Sequence, residues 1–391
     1  MLVNSLSNFL KRPTTKQDDL FLAPGKTLTA SQMDGLSAHL AQLPESTLAL
    51  FTSGTSGDEK AVIIFRTAFE AGAQSVNNEF KISSLDVWLC PLPVHHVGGL
   101  SIYERARLSS SRVVRLVVWS VADFLNLCKM ESVSWTSLVP TQIFDLVREQ
   151  KPAPETLKGV FVGGGSLSPE LFSRARQLGW PLLVTFGMTE ASSQIATVRP
   201  WDLSTPRELD LKLLPHVKAK VSADGRLCLK SKSLFFEYLR WHIDQWQPER
   251  ALEDDWFITS DRAQLNGDII KPLGRATQEV KIKGELVNIF NLTTDLNSKI
   301  SKFEPPEWTL LALPHERSEW EVAFVSTSIT PEIKESILSF NNEKRQHGEP
   351  AKRIRKLIEV SSIPKTDLGK IQWKELSQQI QNLSQNVIEI N

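Results

Sequence analysis

Between residues 48 and 187, short apolar segments alternate with stretches of helical pattern, and this alternation constrains the fold more than any other feature of the chain. The strand candidates are residues 113–119, 133–139, 159–162 and 181–186. Strands that alternate with helices usually pair in parallel and carry the helices on the faces of the sheet. Ligands of such sheets bind at the carboxyl ends of the strands. The pattern therefore predicts a layered α/β domain with its functional site at those strand ends.

One helix of this region is marked at both ends. Ser168 can act as its N-cap, Pro169 suits the first helical position, and Glu170 suits the positive end of the helix dipole. Gly179 follows the helical stretch, and glycine commonly stands just after the end of a helix. The sequence therefore predicts a helix that begins at Pro169 and closes at Gly179.

The pattern changes after residue 212. Short alternating strands with a turn at residues 223–226 predict a small β subdomain between residues 212 and 239. A further α+β unit is indicated by strand candidates at residues 279–283, 308–313, 320–325 and 355–360 and helix candidates at residues 295–302 and 331–340. We therefore predict a large α/β domain over residues 1–274, with parallel-rich sheets, and a small α+β domain over residues 275–391.

The composition argues against several classes of function. Lys plus Arg and Asp plus Glu number 45 each among the 391 residues, and the resulting net charge of zero argues against a nucleic-acid-binding surface. Cys90, Cys128 and Cys228 are widely separated, which disfavours a disulfide framework or a zinc site and suits a reducing compartment. No apolar run reaches the roughly 18 residues that a spanning helix needs. The N-terminus lacks a secretory pattern, so we expect a cytoplasmic protein without a membrane span.

The stretch from Phe51 to Lys60 concentrates polar chemistry in one short turn between two apolar segments. Its hydroxyl residues, two glycines and lysine are Thr52, Ser53, Gly54, Thr55, Ser56, Gly57 and Lys60. Glycines let backbone N–H groups point inward, hydroxyls add donors and the lysine adds positive charge, so the loop suits a polyphosphate. It is not a Walker A motif, because no Gly-Lys-Ser/Thr opens a helix here. An ordinary Gly/Ser-rich hairpin is the alternative.

Five further segments follow in order along the chain. They are residues 163–166, residues 185–190, residues 259–261, Gly274-Arg275 and residues 364–370. The glycines of the first segment, Gly164 and Gly165 among them, allow a close approach of the backbone to a flat ligand. The others offer an aromatic ring, a hydroxyl, two carboxylates, a guanidinium and a second lysine, on Phe186, Thr189, Glu190, Asp261, Arg275 and Lys370. Each segment alone is more often structural than functional.

In combination and in this order, the segments resemble the adenylate-forming superfamily, which includes acyl-CoA synthetases, firefly luciferase and the adenylation domains of peptide synthetases. The signature of that family at its phosphate loop is Thr-Ser-Gly-Thr-Thr-Gly-x-Pro-Lys. This chain keeps the signature from Thr52 to Lys60, with Ser56 for the second Thr of the pair and Glu59 for Pro. The resemblance covers roughly residues 47–375 of the chain.

The resemblance implies ATP, Mg²⁺ and CoA as cofactors or co-substrates, and it assigns roles by position. Residues 52–57 and Lys60 would hold the β- and γ-phosphates, and Gly164, Gly165 and Phe186 would border the adenine. Thr189 would contact the α-phosphate, and Glu190 would coordinate Mg²⁺ through oxygen, as a hard cation prefers. Asp261 would bind the ribose hydroxyls with Arg275 beside it.

The resemblance also implies a mobile C-terminal domain that carries the catalytic Lys370. That lysine would reach both the attacking carboxylate and the α-phosphate. The domain would then rotate about a hinge, which we expect at Ala276 and Thr277, and so withdraw the lysine and open a tunnel for the thiol.

Two stretches narrow the acid that would be activated. His96 takes the position of the aromatic residue or histidine that the superfamily has beside the acyl pocket, followed by Ser101 and Arg105. Arg105 is either a surface arginine or a bidentate clamp for a second substrate carboxylate. The stretch Ser193-Gln-Ile-Ala-Thr197, which follows Glu190, looks most like the o-succinylbenzoate–CoA ligases of menaquinone biosynthesis, as do Gly-Leu-Ser101 and the spacing to Arg105.

The resemblance thus implies an AMP-forming acid–thiol ligase that activates o-succinylbenzoate as acyl-AMP, releases pyrophosphate and transfers the acyl group to CoA. A CoA synthetase for another carboxylic acid and a non-catalytic nucleotide-binding homologue are the alternatives, and a homodimer is left open. Three departures from the family pattern make thiolation less secure than adenylation. The phosphate loop lies unusually close to the start of the chain, which implies a reduced N-terminal subdomain. Thr277 replaces the aspartate that the family usually has at the hinge. The segment Glu285–Asn288 replaces a Gly-Glu-Asn run that is frequent in CoA ligases.

Overall fold

The structure, a computed structural model, describes residues 20–22, 28–52, 60–165, 167–198, 211–275, 279–282, 285–300, 307–315, 319–366, 369, 371–382 and 387–390. Over these residues the protein is a mixed α/β protein, with a large sheet-rich N-terminal part and a smaller C-terminal part that has its own sheet. The predicted fold class is therefore confirmed. In the described part of the chain, no helix has both the length and the apolar character needed to cross a membrane.

The described α-helices are α1 (Ala30–Leu40), α2 (Arg66–Phe80), α3 (Val97–Ser109), α4 (Val121–Met130), α5 (Pro140–Arg148), α6 (Pro169–Gln177), α7 (Ile289–Ile300), α8 (Pro331–Gln346) and α9 (Trp373–Gln381). The strands of the N-terminal part are β1 (Leu20–Leu22), β2 (Thr47–Thr52), β3 (Lys60–Phe65), β4 (Val87–Cys90), β5 (Arg112–Arg115), β6 (Trp135–Leu138), β7 (Gly159–Val162), β8 (Leu182–Met188), β9 (Ser193–Thr197), β10 (Leu211–Leu213), β11 (Val217–Val221), β12 (Arg226–Ser231), β13 (Glu237–His242), β14 (Gln245–Glu249), β15 (Leu252–Glu253), β16 (Trp256–Asn266) and β17 (Ile269–Arg275). Those that follow are β18 (Glu279–Ile282), β19 (Glu285–Asn288), β20 (Trp308–His315), β21 (Glu319–Ser326), β22 (Ile354–Glu359) and β23 (Val387–Glu389).

The parallel part of the largest sheet has the strand order β5-β4-β6-β7-β8. Successive side chains of a strand point to opposite sides, and the inner strands β4, β6 and β7 are buried on both faces, whereas the edge strand β5 is only partly buried. Trp88 and Phe161 face α2 and α3, whereas the adjacent Leu89 and Val160 face α4, α5 and α6. The predicted layered α/β arrangement therefore has helices on both faces of this part of the sheet.

The same sheet continues beyond β8 with antiparallel strands in the order β9-β10-β17-β16-β12-β11, and β15 pairs with β16. Strands are present between residues 212 and 239, where a small β subdomain was predicted, but β10 to β12 extend the main sheet instead of forming a separate unit. At its turn, Gly225 has φ +83°. The change from parallel to antiparallel pairing falls on β8, the strand that ends at the predicted site residues Phe186 to Glu190.

A second sheet has the order β1-β2-β3-β13-β14. Strands β2 and β3 are antiparallel, and Thr52 is the register partner of Lys60. Strand β13 pairs with β3 and places Tyr238 opposite Val62. This pairing brings a strand from the middle of the chain beside the predicted phosphate loop, whose residues 53–59 lie outside the described residues.

The C-terminal part has a sheet of order β20-β21-β22-β23 and a separate hairpin of β18 and β19. Alternate residues of β21 again serve two faces, since Val322 and Phe324 pack with α7 and α8 while Ala323 and Val325 pack with α9. The predicted α+β character of this part is therefore confirmed. The helix predicted at residues 295–302 is α7, which begins earlier, at Ile289.

The local signals along the chain have different outcomes. Helix α6 begins at Pro169, Ser168 Oγ accepts a hydrogen bond from Leu171 N, and Gly179 follows with φ +84°. The prediction of a strand over residues 113–119 is wrong at its end. Strand β5 stops at Arg115, and Val117 and Val118 are 76 % and 74 % exposed. In the described part of the chain no strand pairs with those two valines, so β-propensity alone does not extend the strand.

Candidate active site

Three side chains from separate elements meet beside the predicted phosphate loop. Lys60 stands at the start of β3, Glu190 lies in the 3₁₀ turn after β8, and Tyr238 is in β13. Lys60 Nζ lies 3.5 Å from Glu190 Oε1 and 3.9 Å from the centroid of the Tyr238 ring. The Tyr238 hydroxyl donates a hydrogen bond of 3.0 Å to Glu190 Oε1. We call Lys60, Glu190 and Tyr238 the phosphate corner.

Burial shapes the protonation of the phosphate corner. Removal from water lowers the pKa of Lys60 below its ordinary value, although the Glu190 carboxylate acts in the opposite direction. Burial, followed by the nearby Glu190 charge, raises the pKa of the Tyr238 hydroxyl. The tyrosine therefore stays protonated and remains a donor to the carboxylate. A cation and an anion are thus held together where a phosphate and a metal ion could each take one of them.

A tight, strained turn holds Glu190 in place. Ser192 and Ser193 have φ angles of +57° and +109°, which side-chain-bearing residues rarely adopt. A Cβ at Gly187 would overlap the carbonyl group of Ser193, so only glycine allows this close approach. Ser192 Oγ donates a hydrogen bond of 2.7 Å to the Ser233 carbonyl, and Phe235 N donates one of 2.8 Å to the Glu190 carbonyl. The segment before β13 therefore anchors the turn.

The predicted adenine residues lie at the carboxyl ends of neighbouring parallel strands. Gly164 and Gly165 follow β7, and Phe186 is in β8, whose Val184 is the register partner of Val162. Gly164 has φ +80°, a conformation that favours glycine. A Cβ on Gly165 would lie 3.5 Å from Pro140, the first residue of α5. These residues therefore lie where open α/β sheets bind their ligands.

The predicted ribose residues face each other across two antiparallel strands. Asp261 in β16 is the register partner of Arg275 in β17. Thr259 Oγ1 accepts a hydrogen bond of 3.0 Å from Asp261 N, so the Thr-Ser-Asp segment shapes its own backbone. The description of Arg275 covers its backbone only. The two predicted positions are therefore neighbours on adjacent strands.

The predicted acyl-binding residues line one stretch around the start of α3. The rings of His95 and His96 are 4.5 Å apart at their centroids, and His96 is the residue just before the helix. Ser101 Oγ donates a hydrogen bond of 3.0 Å to the Gly98 carbonyl. Ser193 Oγ donates to Ser101 Oγ at 3.4 Å. This contact links α3 to the strained turn that carries Glu190.

Arg105 lies on α3 one helical turn after Ser101 and is only 2 % exposed, so it is not a surface arginine. Its Nη2 donates a hydrogen bond of 3.3 Å to Gln194 Oε1. The guanidinium carbon lies 5.9 Å from the Trp88 ring and 5.3 Å from the Phe161 ring. Burial lowers the pKa of Arg105 to about 9. We call Arg105, Gln194, Trp88 and Phe161 the guanidinium pocket.

The guanidinium pocket lacks an anion. No described residue forms an ion pair with Arg105, and Arg105 Nε is buried with no hydrogen-bond partner in that part of the chain. A buried cation without a counter-charge is costly unless a ligand supplies one. The pocket can therefore receive a carboxylate, whose two oxygens suit the planar guanidinium.

Several predicted site residues cannot be located. Ser53, Gly54, Thr55, Ser56, Gly57 and Lys370, with the hinge residues Ala276 and Thr277, lie outside the described residues. Thr52 is described as the last residue of β2, without its side chain. Gly369 is described, and a Cβ there would lie 3.1 Å from Thr141, the residue after Pro140 in α5. The C-terminal part thus reaches the strand ends that carry Gly164 and Gly165.

The sequence interpretation assigned no role to several residues that belong to the phosphate corner or the guanidinium pocket. Tyr238 gave no local signal, because a tyrosine in a strand is ordinary core material and its partner Glu190 is distant in sequence. Gln194 and Thr197 stood within the quoted stretch after Glu190 but received no role. Gln194 Oε1 accepts from Arg105, and Gln194 Nε2 donates to Thr197 Oγ1.

The chain belongs to the AMP-binding enzyme family, because the model of that family matches residues 11–239, more than half of the chain. This match agrees with the resemblance inferred from the motifs and includes every element of the phosphate corner. The predicted membership in the adenylate-forming superfamily is therefore confirmed.

Individual relatives extend the similarity into the C-terminal part. The 2-succinylbenzoate–CoA ligase of Staphylococcus epidermidis strain ATCC 12228 is 25 % identical over 366 residues, which are 92 % of this chain and 75 % of that protein. The enzyme of the same name from Listeria monocytogenes serotype 4b is 27 % identical over 341 residues, which are 86 % of this chain and 70 % of that protein.

Solved structures share the fold. The o-succinylbenzoate CoA synthetase of Bacillus subtilis in complex with ATP and magnesium has a TM-score of 0.73 at 20 % identity, and the match covers 91 % of this chain and 79 % of that one. The same synthetase with its acyl-adenylate intermediate has a TM-score of 0.72 at 21 % identity, covering 84 % of this chain and 68 % of that one.

Proposed function

We propose that this protein is an AMP-forming acid–CoA ligase that activates o-succinylbenzoate with ATP and transfers the acyl group to CoA. The observation that carries the proposal is the buried guanidinium of Arg105, which lacks an anionic partner among the described residues. A dicarboxylate can be activated at one carboxylate and held by the other. The relatives named as 2-succinylbenzoate–CoA ligases support this choice of acid.

In the first half-reaction, a carboxylate oxygen of the substrate forms a bond to the α-phosphorus of ATP. The bond between that phosphorus and the bridging oxygen breaks, and pyrophosphate leaves with the electron pair. Both reactants are anionic, so positioning and cationic stabilisation provide most of the catalysis. In our proposal Lys60 and residues 52–57 bind the β- and γ-phosphates, and Thr189 binds the α-phosphate.

The phosphate corner also suits a magnesium ion. In the described part of the chain, no group of three or more His, Cys, Asp or Glu side chains could form an all-protein metal site. Glu190 offers one carboxylate oxygen, and Mg²⁺ typically binds one or two carboxylates together with substrate phosphates and water. When bound, Mg²⁺ would neutralise phosphate charge. Tyr238 would keep Glu190 oriented after Lys60 turns to the phosphates.

In the second half-reaction, the CoA thiolate attacks the acyl carbon, a carbon–sulfur bond forms, and AMP leaves with the electrons of the carbon–oxygen bond. We propose that residues 275–391 form the C-terminal domain that alternates between the two half-reactions, with Lys370 acting in the first. The position of Gly369 beside Thr141 supports an arrangement in which this domain covers the nucleotide. His96, Asp261 and Arg275 would border the acyl group and ribose.

The compartment and assembly remain proposals. Cys90, Cys128 and Cys228 are buried free thiols, which supports a location in the reducing cytoplasm. A homodimer stays a prediction.

Mass spectrometry of the reaction products tests the proposal. The protein is incubated with ATP, Mg²⁺, CoA and o-succinylbenzoate, with benzoate and a fatty acid in parallel. We expect o-succinylbenzoyl-CoA and AMP from the first acid only. AMP without thioester would limit the activity to adenylation, another acyl-CoA product would change the substrate, and no AMP with any acid would overturn the proposed function.

A further inference from the structure

We infer that Gln194, held by Thr197, is a positioning residue that orients Arg105 and leaves its charge available to the second carboxylate of the substrate. The inference rests on the proposed function, because it concerns how the guanidinium pocket distinguishes dicarboxylates from monocarboxylates. It assigns a role to a neutral amide that belongs neither to the predicted nucleotide residues nor to the phosphate corner.

The hydrogen bonds fix the direction of the amide. Gln194 and Thr197 are 5 % and 2 % exposed, so neither bond competes with water. The guanidinium has donors only, so the atom of Gln194 that faces Arg105 must be the acceptor Oε1. The amide nitrogen then needs an acceptor, and Thr197 Oγ1 supplies it. A rotated amide would set two donors against each other at Arg105.

A break in strand register makes this contact possible. Residues three apart on a regular strand point to opposite faces of the sheet, so Gln194 and Thr197 would not meet. The pairing of β8 with β9 shifts, because Gly187 pairs with Gln194 whereas Phe186 pairs with Ala196. An extra residue of this kind reverses the alternation. The strained turn at Ser192 and Ser193 therefore also directs Gln194 toward α3.

The neutrality of Gln194 is the central point. A carboxylate at this position would neutralise the guanidinium inside the protein, and the substrate carboxylate would then gain little from binding to Arg105. The amide binds one N–H of Arg105 without cancelling its charge, and the flanking Trp88 and Phe161 rings bring no anion. The pocket is thus preorganised for an external carboxylate. Gln194→Glu, which changes the charge with little change in shape, tests this directly.

The assay compares the adenylation kcat/KM for o-succinylbenzoate with that for two analogues that each lack one carboxylate, 4-oxo-4-phenylbutanoate and 2-butanoylbenzoate. The analogue that reacts identifies the activated carboxylate. We expect Gln194→Glu to lower kcat/KM for o-succinylbenzoate by ~10- to 100-fold, mainly through KM, since a buried charge pairing is lost. For the reactive analogue, the kcat/KM of Gln194→Glu should stay within about twofold of the wild-type value, because this analogue makes no bond to Arg105. An unchanged ratio of the two substrates would overturn the inference.

Thermal unfolding provides a readout that does not need the substrate. Gln194→Glu should raise Tm by on the order of 2 °C, since it pairs a cation that is already buried. The matched control is Asn341→Asp in the C-terminal part. Asn341 is an equally buried amide whose partners are the N–H and carbonyl of Ile354, so its carboxylate should lower Tm. A fall in Tm of similar size for both variants would overturn the inference.

Two further results separate this inference from the proposed function. Wild type that adenylates none of the acids would refute the proposed function, and the Tm comparison would still decide the contact between Gln194 and Arg105. If Gln194→Glu does not fold, Thr197→Val frees the amide without adding charge. It should lower the preference for o-succinylbenzoate several-fold, and an unchanged preference there would count against the inference.

Discussion

The phosphate corner and the guanidinium pocket both hold a buried cation, and they treat it in opposite ways. Lys60 already has the Glu190 carboxylate at 3.5 Å, whereas the side-chain partner of Arg105 among the described residues is the neutral Gln194 at 3.3 Å. The corner can therefore exchange partners when a nucleotide arrives, with phosphate going to Lys60 and a metal ion to Glu190. The pocket has nothing to exchange and is incomplete until an anion binds. Under the proposed function, Lys60 would therefore act in the activation of every acid, and Arg105 would select the acid.

Glu190→Gln should have the largest effect, because it removes the only carboxylate of the phosphate corner. We expect adenylation to fall by ~10²–10³-fold for every acid, the loss typical of one transition-state contact. Initial rates of pyrophosphate release across a Mg²⁺ titration measure this. Glu249→Gln is the control, as Glu249 is an exposed acid paired with Arg240. A loss confined to o-succinylbenzoate would contradict the contrast between the two regions.

Arg105→Met should have the next largest effect, and a selective one. We expect a loss of about 100-fold in kcat/KM with o-succinylbenzoate and little change with the reactive monocarboxylate. Stability should stay constant or rise by about 1 kcal/mol, because an unpaired buried charge is removed. Lys60→Met should destabilise by contrast, since it leaves the Glu190 carboxylate with the neutral Tyr238 hydroxyl but without the cation of the phosphate corner. Urea unfolding of both variants measures the difference, and equal destabilisation would break the comparison.

His216 is a third buried basic side chain, and unlike Lys60 and Arg105 it can avoid the cost of a buried charge by losing its proton near neutral pH. It lies in the turn between β10 and β11, both ring nitrogens are buried without a hydrogen-bond partner among the described residues, and burial lowers its pKa to about 4. Between pH 6.5 and 4 the unfolded chain binds the proton and the folded one does not, so stability falls as pH falls. With an unfolded pKa near 6.5, we expect a loss of about 2 kcal/mol at pH 5.

Denaturant unfolding between pH 8 and pH 5 measures this slope. His216→Phe should flatten it. A slope that survives in His216→Phe would assign the acid sensitivity to other groups.

Tyr238→Phe should have the smallest effect, since it removes one hydrogen bond and keeps the ring beside Lys60. We expect a weakening of ATP binding in the presence of Mg²⁺ by about fivefold, or about 1 kcal/mol. Isothermal titration calorimetry measures the affinity, and Tyr103→Phe on α3 is the matched control. An affinity equal to that of wild type would show that Glu190 does not need the hydroxyl donor.

The sequence alone predicted the features whose causes are local. Helix α6 was predicted at both ends, because an N-cap serine, a proline at the first turn and a following glycine act within a few residues. Four of the five parallel strands, β5 to β8, were predicted because burial leaves short, mostly apolar runs, whereas β4 (Val87–Cys90) was not among the predicted strands. The family motifs were recognised for a similar reason, since each is a short segment whose chemistry depends on its own residues.

Tertiary structure alone decided which of these residues meet. Tyr238 contacts Glu190 across 48 positions of sequence, and Arg105 contacts Gln194 across 89, through strand pairings that no local pattern specifies. Gln194 and Thr197 are only three residues apart, yet their bond depends on the shifted register between β8 and β9. The sequence likewise left open whether Arg105 lies at the surface, and only the packing beside Trp88 and Phe161 shows that its side chain is buried. Local sequence thus determined the groups, and packing determined which buried charge has an opposite charge beside it and which has none among the described residues.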